Sequence, residues 1–171
     1  MPRMIDEHSE ERRELLDCLQ YQRDSVLAIV RGLSEAAWHT SVVPSGWTPA
    51  GFVEHLAGAE YHWFRQVIAG LPDDELPEDE EPEPYDRYGA FTSNLSSADV
   101  VDVYVAQCRF SDEIMSTTAL SAKPLGRHSP NEDVPSVRWV ILHMIEETAT
   151  HSGHLEIARE LLDGATRLGN R

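Results

Sequence analysis

The sequence predicts an all-α fold, a four-helix bundle with one long crossover loop. Four segments carry apolar residues at spacings of three and four, the period of a helix face. No stretch is rich in strand signals. Residues 71–95 form a long connection between the second and third segments, and they include the acidic, proline-rich run "DDELPEDEEPE" at 73–83. Four long helices without strands bury their faces against one another, and the long connection supplies a crossover.

The first segment spans Ser9–Arg31, with Leu15, Leu19, Gln22, Val26 and Val30 on one face, and Gly32 and Ser34 break it. The second opens at "GWTPAGFVEHLAGAEYHWFRQVIAG". Thr48 suits the cap and Pro49 the first helical position, where no N–H is needed. Val53, Leu56, Glu60, Trp63 and Val67 follow one face, and Gly70 with Pro72 ends the helix. The third segment starts at Ser96 or Ser97, with Ser96 and Asp99 in a capping-box spacing. Val100, Val103 or Tyr104, Gln107, Ser111 and Ile114 define its inner face. The fourth runs from near Ser136 to Gly164, a natural C-cap, with Met144, Thr148, His151, Leu155, Ala158 and Leu162 as its stripe. A length of 171 residues suits one domain, 1–171, with a core that needs no staples.

Net charge excludes some partners. The chain carries −16, and the rest still carries −8 without the eight acids of 73–83. A nucleic-acid backbone or an anionic membrane surface needs a positive field, so neither is expected as partner. The acidic run reads as a solvated, self-repelling crossover. With no signal-like start and no long apolar run, a cytoplasmic location is expected. Cys18 and Cys108 lie in different helices without CxxC spacing, which excludes a cysteine-based zinc site, and both read as small core or boundary residues.

The chemistry concentrates in "HMIEETATHSGHLEIARELLDG", residues 143–164. At about 100° per residue, Glu147, His154 and His143 lie about 40°, 60° and 80° to one side of His151. All four share a face, and His151 also sits on the apolar stripe. Two ligands from one helix need a separation of three or four residues. Glu147/His151, His151/His154 and His143/Glu147 all qualify, and spacing does not choose among them. A third ligand must come from another helix: His55 is the best donor and His62 the alternative. His8, His39 and His128 read as surface residues, and Glu146 and Glu156 as solvent-facing. Trp47, Trp63 and Trp139 read as core. A helical histidine is also commonly a hydrogen-bonded core residue with no metal.

"GWTPAGFVEHLAGAEYHWF" followed by "PSVRWVILHMIEETATHSGHLEIARELLDG" resembles the DinB/YfiT-like superfamily of metal-dependent thiol transferases, most of all its mini-circle-protein branch. The resemblance covers most of the chain and includes the closing "ELLDG". It implies an up-down-down-up four-helix bundle, often a homodimer, with a metal near one end. The family's ligands are one histidine on the second helix and a pair four apart on the fourth. Carried over through Gly153, these fall on His55, Glu147 and His151. The pair is Glu-x3-His here, as in mycothiol-dependent maleylpyruvate isomerases, where many members have His-x3-His. His154 falls where many relatives carry Gln.

The resemblance implies a metal-dependent S-transferase that activates the thiolate of a small thiol such as mycothiol for attack on an electrophile. Thirteen Arg against one Lys agrees with an actinobacterial source of that thiol. Zinc suits the implied set, as do nickel and iron. His154 is the candidate catalytic residue, as proton shuttle or as support for a ligand, and His143 reads as a structural hydrogen-bonder. Arg65, Arg87 and Arg138 are candidates for a basic patch toward the thiol. The rival reading is a non-catalytic metal-binding or stress-response bundle, in which His154 or His62 would close the site as a fourth ligand. An isomerase using the thiol as cofactor is a third.

Overall fold

The computed structural model describes residues 7–71, 91–129 and 133–167. All the described elements are helical. α1 spans Glu7–Val30, a short α2 Glu35–Trp38, α3 Pro49–Glu60, α4 Ser97–Thr117 and α5 Val137–Asp163. The acidic run at 73–83 and Arg87 lie outside the described residues.

The caps sit where the sequence placed them. The Thr48 side chain accepts from Gly51 N–H with Pro49 following, Ser96 accepts from Asp99 N–H, and Ser136 accepts from Trp139 N–H. Gly164 closes α5 in the left-handed region. Ser34 does not only break α1: it caps α2, whose Trp38 is buried.

Contacts at the helix ends set the directions. Near the starts of α1 and α5, Glu11 accepts from Arg138 Nη2 at 2.9 Å. Near their ends, Arg159 Nη1 donates to the carbonyls of Ile29 and Arg31 at 2.6 and 2.7 Å. These two helices therefore run the same way. α4 runs opposite to them: Arg12 donates to Thr118 O beyond its end, while Val26 and Ile29 pack with Val100 and Tyr104 at its start. α3 follows α4, because Phe52 and Val53 share the Val100 cluster and Trp63 and Phe64 share the cluster of Met115. On α4 the inner position is Tyr104, 1% exposed, and Val103 faces outward at 39%. Cys108 is buried, but Cys18 is exposed, since it falls off the Leu19 face.

Two features went unread in the sequence. Beyond Glu60 the winding of α3 widens to a π-helix over Tyr61–Ile68. Ala69 N–H donates to Phe64 O, five residues back, at 3.0 Å. The loop after α4 then caps the stretch, as Leu125 N–H donates to Ile68 O (3.1 Å) and Gly126 N–H to Val67 O (2.9 Å). Gly126 is required there, because a Cβ would lie 2.0 Å from Gln66 O. The second feature is a buried ion pair at the α-to-π junction. Arg23 Nε and Nη2 donate to Glu60 Oε1 and Oε2 at 2.8 and 2.7 Å, and Nη1 donates to Asp112 at 2.8 Å. Among the described residues, no helix is long and apolar enough to cross a membrane.

Candidate functional site

α3 and α5 run antiparallel, so a histidine one and a half turns into α3 meets the middle of α5. His55 Nε2 lies 2.9 Å from Glu147 Oε1, and His151 Nε2 lies 3.1 Å from the same oxygen. The three side chains each offer one donor atom, all within 4.8 Å of one another. Both imidazoles are 13% exposed and the carboxylate 26%, so the cluster sits at the edge of the core and not inside it. Hydrogen bonds from His151 and His55 hold the Glu147 carboxyl well below the usual carboxylate range, so it is ionised near neutral pH. Of the three spacing-compatible pairs on α5, the structure joins Glu147/His151 to a partner helix, and the partner is His55.

Aromatic rings wall the cluster. Phe91 stacks on His55 at 4.3 Å between centroids, and Phe52 lies 4.6 Å from His151. Phe52 is nearly parallel to His154 at 5.6 Å, with Trp47 behind it at 4.1 Å. The segment bearing Phe91 is pinned to the start of α3, where Thr48 N–H donates to Phe91 O at 2.9 Å. Gly51 makes this approach feasible, since a Cβ there would stand 2.0 Å from that same oxygen. The glycine of "TPAGF" is thus a site residue, and ligand spacing along the sequence gives no sign of it or of the two phenylalanines.

His154 sits at the exposed rim, its Nδ1 3.4 Å from Nδ1 of His151. Partial burial and the neighbouring His151 lower its proton affinity below the usual histidine value. Several other expectations need correction. His62 is not near this cluster's donors; it bonds Gln66 and His128. His128 lies at the surface as expected, and there it is bonded to His62. His143 stacks on Trp139 (5.3 Å) and lies tilted against Trp63 (4.6 Å). Trp139 is not core but 41% exposed, and Trp47 is only half-buried. Glu146 is solvent-facing as expected, whereas Glu156 is half-buried and bonded to Arg167. His39 bonds Glu35 at 3.2 Å. Arg138 is engaged with Glu11, and Arg65 lies over the rings of Tyr61 and Phe110 at 5.2 and 5.4 Å. Neither guanidinium forms a patch with the cluster. Burial pushes the Cys108 thiol up to about 12, so it stays protonated.

Comparison with known proteins adds the lineage. A crystal structure of a conserved protein from Enterococcus faecalis superimposes with a TM-score of 0.63 at 16% identity, covering 90% of this chain and 97% of that one. At that identity it speaks to the fold alone. No curated protein matches the sequence. The family model described as mycothiol-S-transferase matches residues 14–164, a span that contains all four long helices almost entire and every residue of the cluster. The chain belongs to the mycothiol-S-transferase family, consistent with the DinB/YfiT-like superfamily that its two motif helices resemble.

Proposed function

We propose that the chain is a mycothiol-dependent S-transferase and that His55, Glu147 and His151 hold a divalent metal ion, with zinc, nickel and iron all suited. The observation that carries this reading is the convergence of two imidazole nitrogens from two helices on one carboxylate oxygen. Two nitrogens and one anionic oxygen fit an open divalent site. No fourth His, Cys, Asp or Glu joins the group among the described residues, which favours a catalytic site over a closed structural one. When bound, the ion supplies the positive charge that favours the thiolate of a small thiol near neutral pH.

The remaining work falls to the chain itself. Glu147 contributes a fixed negative charge, because its hydrogen bonds keep it ionised. Phe52 and Phe91 cover His151 and His55 with ring faces and keep water from those sides. The protein offers no sulfur in competition from Cys108, which burial holds protonated. The reacting sulfur is that of the small thiol, and it passes to an electrophilic carbon. His154 is assigned first as a positioning residue. As a ligand His151 would carry its proton on Nδ1, which faces Nδ1 of His154 as acceptor, and its Nε2 lone pair would then meet the ion in place of the hydrogen bond it now donates to Glu147. At the rim, His154 is also the titratable group placed to take the proton that leaves the thiol.

Two experiments test this. Untagged chain purified without chelator should carry about one equivalent of metal by elemental mass spectrometry, as one three-donor site requires. His55→Ala and His151→Ala should each remove it, keep the helical spectrum, and drop mycothiol transfer onto a fluorogenic alkylating probe to the background rate. If both variants retain full metal and full transfer, the reading is wrong. Separately, His154→Ala should weaken metal affinity by about 10- to 100-fold, the usual cost of losing a group that orients a ligand. His154→Gln, which keeps an acceptor, should recover most of it while losing any arm of the pH–rate profile that His154 supplies. Unchanged affinity in His154→Ala would leave it no positioning role.

A further inference from the structure

Outside this cluster, His62 and His128 are brought together from separate parts of the chain. His62 Nε2 lies 2.9 Å from Nδ1 of His128. We propose that this pair is a second binding site for a divalent late transition-metal ion of the imidazole-preferring class, for which copper(II) is the strongest probe.

Three observations carry the proposal. The first is the tautomer. His62 Nδ1 lies 2.6 Å from Gln66 Oε1, an acceptor, so Nδ1 carries the proton and Nε2 presents a lone pair to His128. A ligand histidine is ordinarily fixed in this way, by a hydrogen bond to its other nitrogen. The second is separation. Nitrogens each about 2.0–2.1 Å from one ion lie about 3 Å apart in adjacent coordination positions. The hydrogen-bonded pair already has that spacing, so an ion can take the place of the shared proton with a modest rotation of the rings. The proton on His128 Nδ1 then moves to its Nε2 through solvent, and the net charge of the two imidazoles is unchanged.

The third observation is support. His62 belongs to the π-helical stretch, and His128 to the loop that stretch anchors through Leu125 N–H and Gly126 N–H. Trp63 stacks on the His128 ring at 4.5 Å and 17°. His128 is exposed and His62 half-buried, so water can complete the coordination on one side. No third His, Cys, Asp or Glu joins them among the described residues, which makes this a two-donor site and the weaker of the two.

The proposal does not depend on the reading of His55, Glu147 and His151. Its test uses the full, untagged chain carrying His55→Ala and His151→Ala, titrated with copper(II) while tryptophan fluorescence is followed. Uptake of about one equivalent with quenching is expected, because Trp63 lies against His128 and late transition metals favour imidazole. Adding His128→Asn, an exposed loop change that should leave the melting curve intact, should abolish that first equivalent, and so should His62→Asn. Gln66→Leu should raise the copper concentration needed by about tenfold. The proposal is overturned if the titration shows no uptake, or if uptake survives His128→Asn unchanged, which would assign it to other histidines. Failure of the first site reads differently: wild-type metal content would be indifferent to His55 and His151.

Discussion

Glu60→Gln is expected to destabilise the fold by about 3–5 kcal/mol, the usual cost of leaving one member of a buried ion pair without its partner. For a chain of this size that is a fall in Tm of roughly 10 °C or more. The physical case is burial: Arg23 is 3% exposed and Glu60 1%. Burial disfavours the charge of Arg23, but the Glu60 carboxylate and its two hydrogen bonds outweigh this and hold the guanidinium proton more tightly than usual. A guanidinium keeps its proton in proteins even without that carboxylate, so in the variant Arg23 stays charged and faces a neutral amide. Asp112 remains, but its carboxylate is largely exposed and solvent-screened. Replacing both partners by apolar residues of similar volume, Arg23→Met with Glu60→Leu, should recover most of the loss, since no buried charge is then stranded. Urea unfolding of the four proteins checks this. A Glu60→Gln protein within about 1 kcal/mol of wild type would mean that water reaches the pair. Because Glu60 closes the regular part of α3, the same variant should loosen the helix that carries His55, and metal affinity should fall with stability.

That ion pair also shows why parts of this molecule were readable and others were not. Helix faces and caps are local matters. Thr48–Pro49, Ser96, Ser136 and Gly164 announce themselves because an end must satisfy its own N–H and C=O groups from neighbouring residues. The stripe through Met144, Thr148, Leu155 and Ala158 is likewise fixed by period. Spacing on α5 allowed three ligand pairs; the family resemblance pointed to Glu147/His151, and the approach of α3 that brings His55 to that pair is a fact of tertiary structure. Arg23 gives no periodic signal, because a charged residue does not enter the apolar period and its partner lies 37 residues away. The π-helical stretch was invisible for another reason. Apolar periodicity reports which side chains face inward, and Trp63 and Val67 do, but it does not report which carbonyl each N–H selects. His128, in a loop, carried no period at all.

Gly51→Ala and Gly58→Ala place the same substitution seven residues apart on α3, and they are expected to move stability in opposite directions. At Gly58 a new Cβ meets nothing within 4 Å, and the backbone is ordinary helix. Alanine should there stabilise by about 0.5–1 kcal/mol through helix propensity alone. At Gly51 the Cβ would stand 2.0 Å from Phe91 O, 2.1 Å from Phe91 C and 2.4 Å from Thr92 N. These are backbone atoms, held by the bond from Thr48 N–H, so no side-chain rotation relieves the overlap. The segment must move, at a cost of about 3 kcal/mol or a Tm lower by roughly 6–12 °C. Phe91 then leaves the face of His55, against which it now stacks at 4.3 Å. Gly51→Ala should accordingly weaken metal binding as well as the fold, whereas Gly58→Ala should leave metal content unchanged. Thermal melts and elemental analysis of the two variants decide it. A Gly51→Ala protein as stable as wild type, with its metal intact, would show that Phe91 is free to step aside and takes no part in holding His55.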